Sequence, residues 1–194
     1  GVLRALHDDN RATDGLAAVE AWLDAAPHEG DNLNNREQDC YTGCTALQMM
    51  CSSANYASDL DIVRALILRG ADVNWSSERD GYTPLHDAAM WNGEIKGTII
   101  RLLLDAGAGA TINVKNNYGQ TPLAMAVDTF TTYEGNVTGG LSLDPVRELL
   151  RGGASLDSVA STDEGDITDM SVEAFIESIE SREWSGQFTD GNKE

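Results

Sequence analysis

A short phrase recurs in this chain at a constant spacing of 38 residues, from Thr45 to Thr83 and from Thr83 to Thr121, and it restricts the fold more than any other feature. The fullest copy, Thr83-Pro84-Leu85-His86-Asp87-Ala88-Ala89, follows Asp80-Gly81-Tyr82. Thr121-Pro122-Leu123-Ala124-Met125-Ala126 follows Gly119, and Thr45-Ala46-Leu47-Gln48-Met49-Met50 follows Gly43. Each reads as a helix start: Thr is an N-cap, Pro costs nothing at the first helical position, and Gly supplies the turn upstream. A second phrase alternates with the first, as Asp61-Ile62-Val63-Arg64-Ala65-Leu66-Ile67-Leu68-Arg69-Gly70-Ala71, Thr98-Ile99-Ile100-Arg101-Leu102-Leu103-Leu104-Asp105-Ala106-Gly107-Ala108 and a worn copy from Pro145 to Asp157. It is apolar at helical spacing and closes on Gly. A two-helix unit of this size cannot bury its apolar face alone, so its repetition predicts a stacked all-α array.

With those residues in hand, the chain resembles the ankyrin repeat family: T-P-L-H-x-A-A after a D-G turn, then L-L-L-x-x-G-A. The resemblance covers residues 1–157, and the family period of about 33 residues means that each copy here carries extra residues. Ala124 stands where the family has His, and Ala46 and Gln48 stand where it has Pro and His. These departures are expected to weaken capping. The resemblance implies a short all-α ankyrin-type solenoid with hairpin fingers. Residues 1–39 then form an N-terminal capping repeat in which Trp22 is core, and 40–77, 78–115 and 116–157 form three further repeats. Residues 158–194 hold an acidic linker, a C-terminal capping helix and a tail.

The extra residues concentrate at one point of the unit, between its two helices, at 52–59, 92–97 and 128–143. In a stack they line one edge, opposite the fingers. The longest of them carries Phe130 and Tyr133 and is either a docking loop or a disordered insertion. The helix at 171–184 places Val172, Phe175, Ile176 and Ile179 on one face, and is either a cap or a docking element.

Composition narrows the function further. The formal charge is −19, from 32 acidic and 13 basic residues, which disfavours nucleic acid and anionic membranes. It suits a basic protein partner, and equally serves solubility. No apolar run is long enough for membrane insertion. Cys40, Cys44 and Cys51 follow no disulfide-framework spacing, which indicates an intracellular, cytoplasmic setting. The chain opens on Gly1 rather than Met, leaving an organelle open as an alternative.

Catalysis and cofactors find no support in the residue pattern. His7, His28 and His86 do not gather, and the resemblance implies that His86 links Thr83 to the neighbouring loops. The cysteines lack the paired spacing of a zinc site. Gly107-Ala108-Gly109-Ala110 ends a helix instead of opening one, the wrong polarity for phosphate. No metal, cofactor or small-molecule substrate is indicated, and the chain is not read as an enzyme.

Binding remains. The resemblance implies that a partner protein is held on the concave face of hairpin tips and first helices. Carried onto this sequence, the finger positions are Tyr41, Thr42, Arg79, Asp80, Tyr82, Asn117, Tyr118 and Gln120, and the helix positions include Met90 and Trp91. Tyr41, Tyr82 and Tyr118 form a row along the groove, unless Tyr82 packs on the next finger. The alternative is a permanently bound structural or linker subunit of a larger intracellular or organellar assembly.

Overall fold

The computed structural model describes residues 44–91, 93, 95–132 and 142–156, with isolated positions at 17, 20, 21, 24, 34, 176 and 177. Trp22, Tyr41, Thr42 and Tyr133 lie outside the described residues, as does most of the capping repeat and of the expected helix at 171–184. Within the continuously described residues six α-helices follow one another: α1 (Ala46–Ser53), α2 (Ala57–Leu68), α3 (Pro84–Ala89), α4 (Lys96–Asp105), α5 (Pro122–Thr132) and α6 (Asp144–Arg151), with a 3-10 turn at Ala108–Thr111 after α4. No strand occurs among the described residues.

The helices pack in two rows. The first helix of each unit meets the first helix of the next, α1 on α3 and α3 on α5, while the second helices stack as α2 on α4 and α4 on α6. Leu47, Met50, Leu66, Leu85, Ile99, Leu103, Leu123 and Leu149 are fully buried between the rows. The two phrases of the sequence are therefore the two rows of an all-helical stack, as expected.

The helix starts show how the units are tied together. His86 Nδ1 accepts the Thr83 N–H at 3.2 Å and lies 2.8 Å from Thr83 Oγ1, while Nε2 lies 3.1 Å from the Gln120 carbonyl in the next finger. Only a protonated Nε2 can donate to a carbonyl, so the ring is neutral with Nδ1 free to accept. Gln48 does the same with an amide. Its Oε1 accepts the Thr45 N–H at 3.2 Å, its own N–H donates to Thr45 Oγ1 at 3.3 Å, and Nε2 donates to the Tyr82 carbonyl at 2.9 Å. Gln48 thus does not weaken the start as its departure from His suggested: an amide carries the same acceptor and donor to the same two places. At Ala124 only the forward half survives, its N–H donating to Thr121 Oγ1 at 3.2 Å.

The connections between paired helices differ from the expected expansions. α2 begins at Ala57 because the Asp59 carboxylate reaches back, Oδ2 accepting the N–H groups of Asn55 at 2.9 Å and Tyr56 at 3.0 Å. The connection shrinks to residues 54–56. Likewise α5 runs on to Thr132, so Asp128 to Thr132 are helical. Thr129 Oγ1 holds that extension, 2.8 Å from the Met125 carbonyl and 3.1 Å from the Met90 carbonyl of the preceding unit.

Gly97, placed by sequence in a connection, is the second residue of α4 and is buried there. A Cβ at this position would stand 2.6 Å from Asp144 Cβ and 3.0 Å from its carbonyl carbon. The absent side chain is what lets α4 and α6 start so close together.

Gly97→Ala should therefore destabilise by about 1–3 kcal/mol through overpacking; a urea midpoint equal to that of the parent chain would remove the close approach as a constraint. For His86, burial lowers the imidazole below its usual 6.5, against the bonds to Gln120 and Val114 and the Asp80 charge. The folded state sheds this proton more readily than the unfolded state. The stability it confers is thus complete above pH 6.5 and is lost as pH falls from there through the lower folded value. Because Gln already fills the role at position 48, His86→Gln should keep most of the stability and flatten this part of the pH dependence, whereas His86→Ala should cost about 2 kcal/mol. Urea unfolding of the three proteins at pH 7.5 and 5.5 measures the difference.

Candidate partner-binding face

The fingers are turns closed by backbone pairs. Ser77 N–H donates to the Tyr82 carbonyl at 2.8 Å and Asn116 N–H to the Gln120 carbonyl at 2.9 Å. Gly81 turns the first of them at φ +73°, and a Cβ there would stand 3.0 Å from the Asn117 backbone nitrogen, so the next finger lies directly against it. Asn117 N–H donates to the Asp80 carbonyl at 2.9 Å, and Asn117 Nδ2 to the Arg79 carbonyl at 3.1 Å. Three of the finger positions expected to meet a partner, Arg79, Asp80 and Asn117, thus form a bridge between neighbouring fingers.

Tyr82 packs on the next finger, one of the two readings of its position, through its ring contact with Tyr118. It is half-buried, its ring stacked on His86 at 5.7 Å and meeting Tyr118 edge-on at 6.3 Å. Burial, followed by the Asp80, Tyr118 and Asp87 charges, pushes its phenol above the usual 10, so the hydroxyl stays neutral. Tyr118 is 72% exposed. Trp91 is 45% exposed, with Nε1 donating to Ser52 Oγ at 3.2 Å across the unit boundary. Met90 and Gln120 are half-exposed, and Gln120 Nε2 donates to Asp128 Oδ2 at 2.9 Å. Asp80 Oδ1 accepts the Tyr82 N–H at 3.1 Å. Tyr82, Tyr118, Gln120 and Asp80 therefore form one connected group of finger residues.

Beneath this face lies a residue that the sequence reading passed over. Lys96 is completely buried, and Nζ donates to the carbonyls of Cys51 and Ser52, at 2.7 Å each. Those carbonyls belong to the last turn of α1, where a helix has no internal donors to offer. A cation at that end also suits the helix dipole. Desolvation lowers the amine to about 8 from 10.5, opposed by Cys51, Asp87 and Asp59. Cys51 is fully buried alongside, its thiol pushed up by burial and by Asp87, which makes it a packing residue and not a nucleophile. A lone Lys in a connection carries no sequence signal of such a role; it becomes visible only when α4 is placed against the end of α1.

Among the described residues, no group of three or more His, Cys, Asp or Glu is placed to hold a metal ion. No described helix is long and apolar enough to cross a membrane.

Two rows of antiparallel helix pairs with turn fingers on one side define a repeat solenoid. The model for ankyrin repeats (3 copies) matches residues 12–108 and 49–160, and the chain belongs to that family. It is 41% identical over 68 residues to the 2-5A-dependent ribonuclease of Homo sapiens, covering 35% of this chain and 8% of that protein. It is 30% identical over 122 residues to the E3 ubiquitin-protein ligase KEG of Arabidopsis thaliana, covering 60% of this chain and 7% of that one. With the putative ankyrin repeat protein FPV031 of Fowlpox virus (strain NVSL) it shares 35% identity over 102 residues, 52% of this chain and 27% of that protein. The chain thus spans less than a third of the length of each of these relatives. Ankyrin repeats are protein–protein interaction modules, and the repeat fold itself is typically non-enzymatic.

Lys96→Met should destabilise the stack by about 1–3 kcal/mol, since two carbonyls at the end of α1 lose their donor while the methionine fills the volume. A midpoint in urea at or above that of the parent chain would show that shedding the buried charge outweighs the lost hydrogen bonds.

Proposed function

We propose that this chain is a non-enzymatic interaction module that holds a partner protein on the concave face of its fingers and first helices, and that the partner presents a basic surface. The observation that carries the reading is the aromatic row across two units. Tyr118 and Trp91 are exposed, Tyr82 is anchored between His86 and Tyr118, and Asp80 and Asp128 lie in the same hydrogen-bonded set of residues. Tyr and Trp supply large, rigid contact area and dominate interface energetics when a partner covers them. The net charge of −19 steers a basic partner and opposes an acidic one. Tyr41 and Thr42 belong to the same proposed face by their place in the repeat.

Tyr118→Ala combined with Trp91→Ala removes the two exposed rings without touching the Tyr82–His86 stack. The expected result is unchanged thermal unfolding with partner affinity at least tenfold weaker, and further weakening as salt is raised. Affinity capture from the native source, followed by titration of the recovered partner, makes the measurement. Equal affinity of the parent and double variant excludes this face.

A further inference from the structure

Between α1, α3 and the finger that precedes α3 lies a cavity of about 250 Å³ whose lining includes Met49, Ser77, Asp80, Tyr82, Asp87 and Met90. We propose that this cavity is a receptor for a single arginine side chain of the partner protein, an inference that rests on the concave-face reading above. Three features of the lining converge on that side chain.

The walls are apolar and soft. Met49 lines the cavity from α1 and Met90 from the C-terminal cap of α3, and the Tyr82 ring is held in place by its stack on His86 and its edge contact with Tyr118. Thioethers and an aromatic ring suit the three-carbon stem of arginine, and a guanidinium stacks on an aromatic face. The charge is negative. Asp80 is half-buried and Asp87 is buried, so carboxylates line the cavity from its solvent side inward. Lys96 and Asp87 interact on the helix side, which offsets part of the Asp87 charge and leaves Asp80 as the principal ionic contact.

The third feature is an unmet hydrogen bond. Ser77 is 5% exposed, and its Oγ has no hydrogen-bond partner although its backbone N–H is bonded to the Tyr82 carbonyl. Burying a hydroxyl without a partner is unfavourable. An incoming N–H donor would satisfy it. Arginine has five such donors in a planar fork and reaches a carboxylate and a hydroxyl together, whereas lysine is more strongly hydrated and bonds as a point charge. The sequence separates Met49 from Met90 by a full repeat and Ser77 from Asp87 by a finger, so the cavity exists only once neighbouring units stack.

A random-sequence peptide library displayed on phage and selected on the intact chain supplies the probe. Enriched peptides are measured by calorimetry against the parent chain, Asp80→Asn, Ser77→Ala and the Tyr118→Ala/Trp91→Ala variant. Asn at position 80 keeps the acceptor for the Tyr82 N–H, and each variant is checked for parent-like thermal unfolding. The proposal expects one arginine in common among the peptides. Citrulline, its uncharged isostere, should bind at least tenfold more weakly, and on Asp80→Asn the arginine and citrulline peptides should become nearly equal. Lysine in place of that arginine should also weaken binding. Peptides that lose affinity on Tyr118→Ala/Trp91→Ala but need no arginine, accept lysine equally, or ignore Asp80→Asn overturn the arginine receptor and leave the concave face standing. Peptides indifferent to every variant overturn both.

Discussion

The stack depends on one repeated hydrogen-bonded link, in which a side chain at the third position of α1 and of α3 closes its own helix start and reaches the finger of the next unit. His86 joins Thr83 to the Gln120 carbonyl, and Gln48 joins Thr45 to the Tyr82 carbonyl. A helix start needs an acceptor for its exposed N–H, and a finger carbonyl needs a donor. One planar side chain with an acceptor on one edge and a donor on the other meets both needs. Apolar packing drives the units together but leaves them free to slide. The paired hydrogen bonds set the register between them and so fix where the finger residues stand.

That register in turn creates two features of the face proposed for binding. The finger bridge from Asn117 to Arg79 and Asp80 sets Tyr118 against Tyr82. On the helical side, the same alignment drives Lys96 under the last turn of α1, where its ammonium replaces the donors that a helix end lacks. A buried cation is tolerable here because two carbonyls receive it and Asp87 and Asp59 oppose its desolvation. The exposed face is thus held from behind by an ionic anchor that spans two units. Its rings are placed in part by contacts that no single repeat contains, Tyr82 with Tyr118 and Trp91 with Ser52.

How much of this was legible beforehand varies with the range of the interaction. The T-P-L-H phrase, the alternating apolar phrase and their spacing contain the helices, the turns and the order of stacking, because capping and amphipathicity are local and periodic. Tyr82 and Tyr118 could be assigned to the fingers by position alone, whereas Met90 and Trp91, expected on the first helix, lie just past its end at Ala89. Gln48 was misjudged because a substitution pattern shows a change of residue type, whereas the hydrogen-bond geometry shows that the amide reproduces both roles of the imidazole. Two of the connections, at 52–59 and 128–143, are shorter than the sequence pattern suggests for a similar reason. Asp59 and Thr129 extend α2 and α5 with bonds that depend on the local turn and, for Thr129, on the preceding unit.

The sequence by itself therefore determined the repeat unit, its two helix faces, the finger turns and the acidic balance, since each follows from residues within one turn or one period of each other. Tertiary structure alone decided that Gly97 is an interface between helices, that Lys96 is a buried cap, and that Met49, Ser77, Asp80 and Met90 enclose one cavity. In each case the partners lie about a repeat or more apart in the chain or in different elements of the unit. Periodicity states that they are equivalent or neighbouring; only the stacked backbone states how near they come and what they exclude.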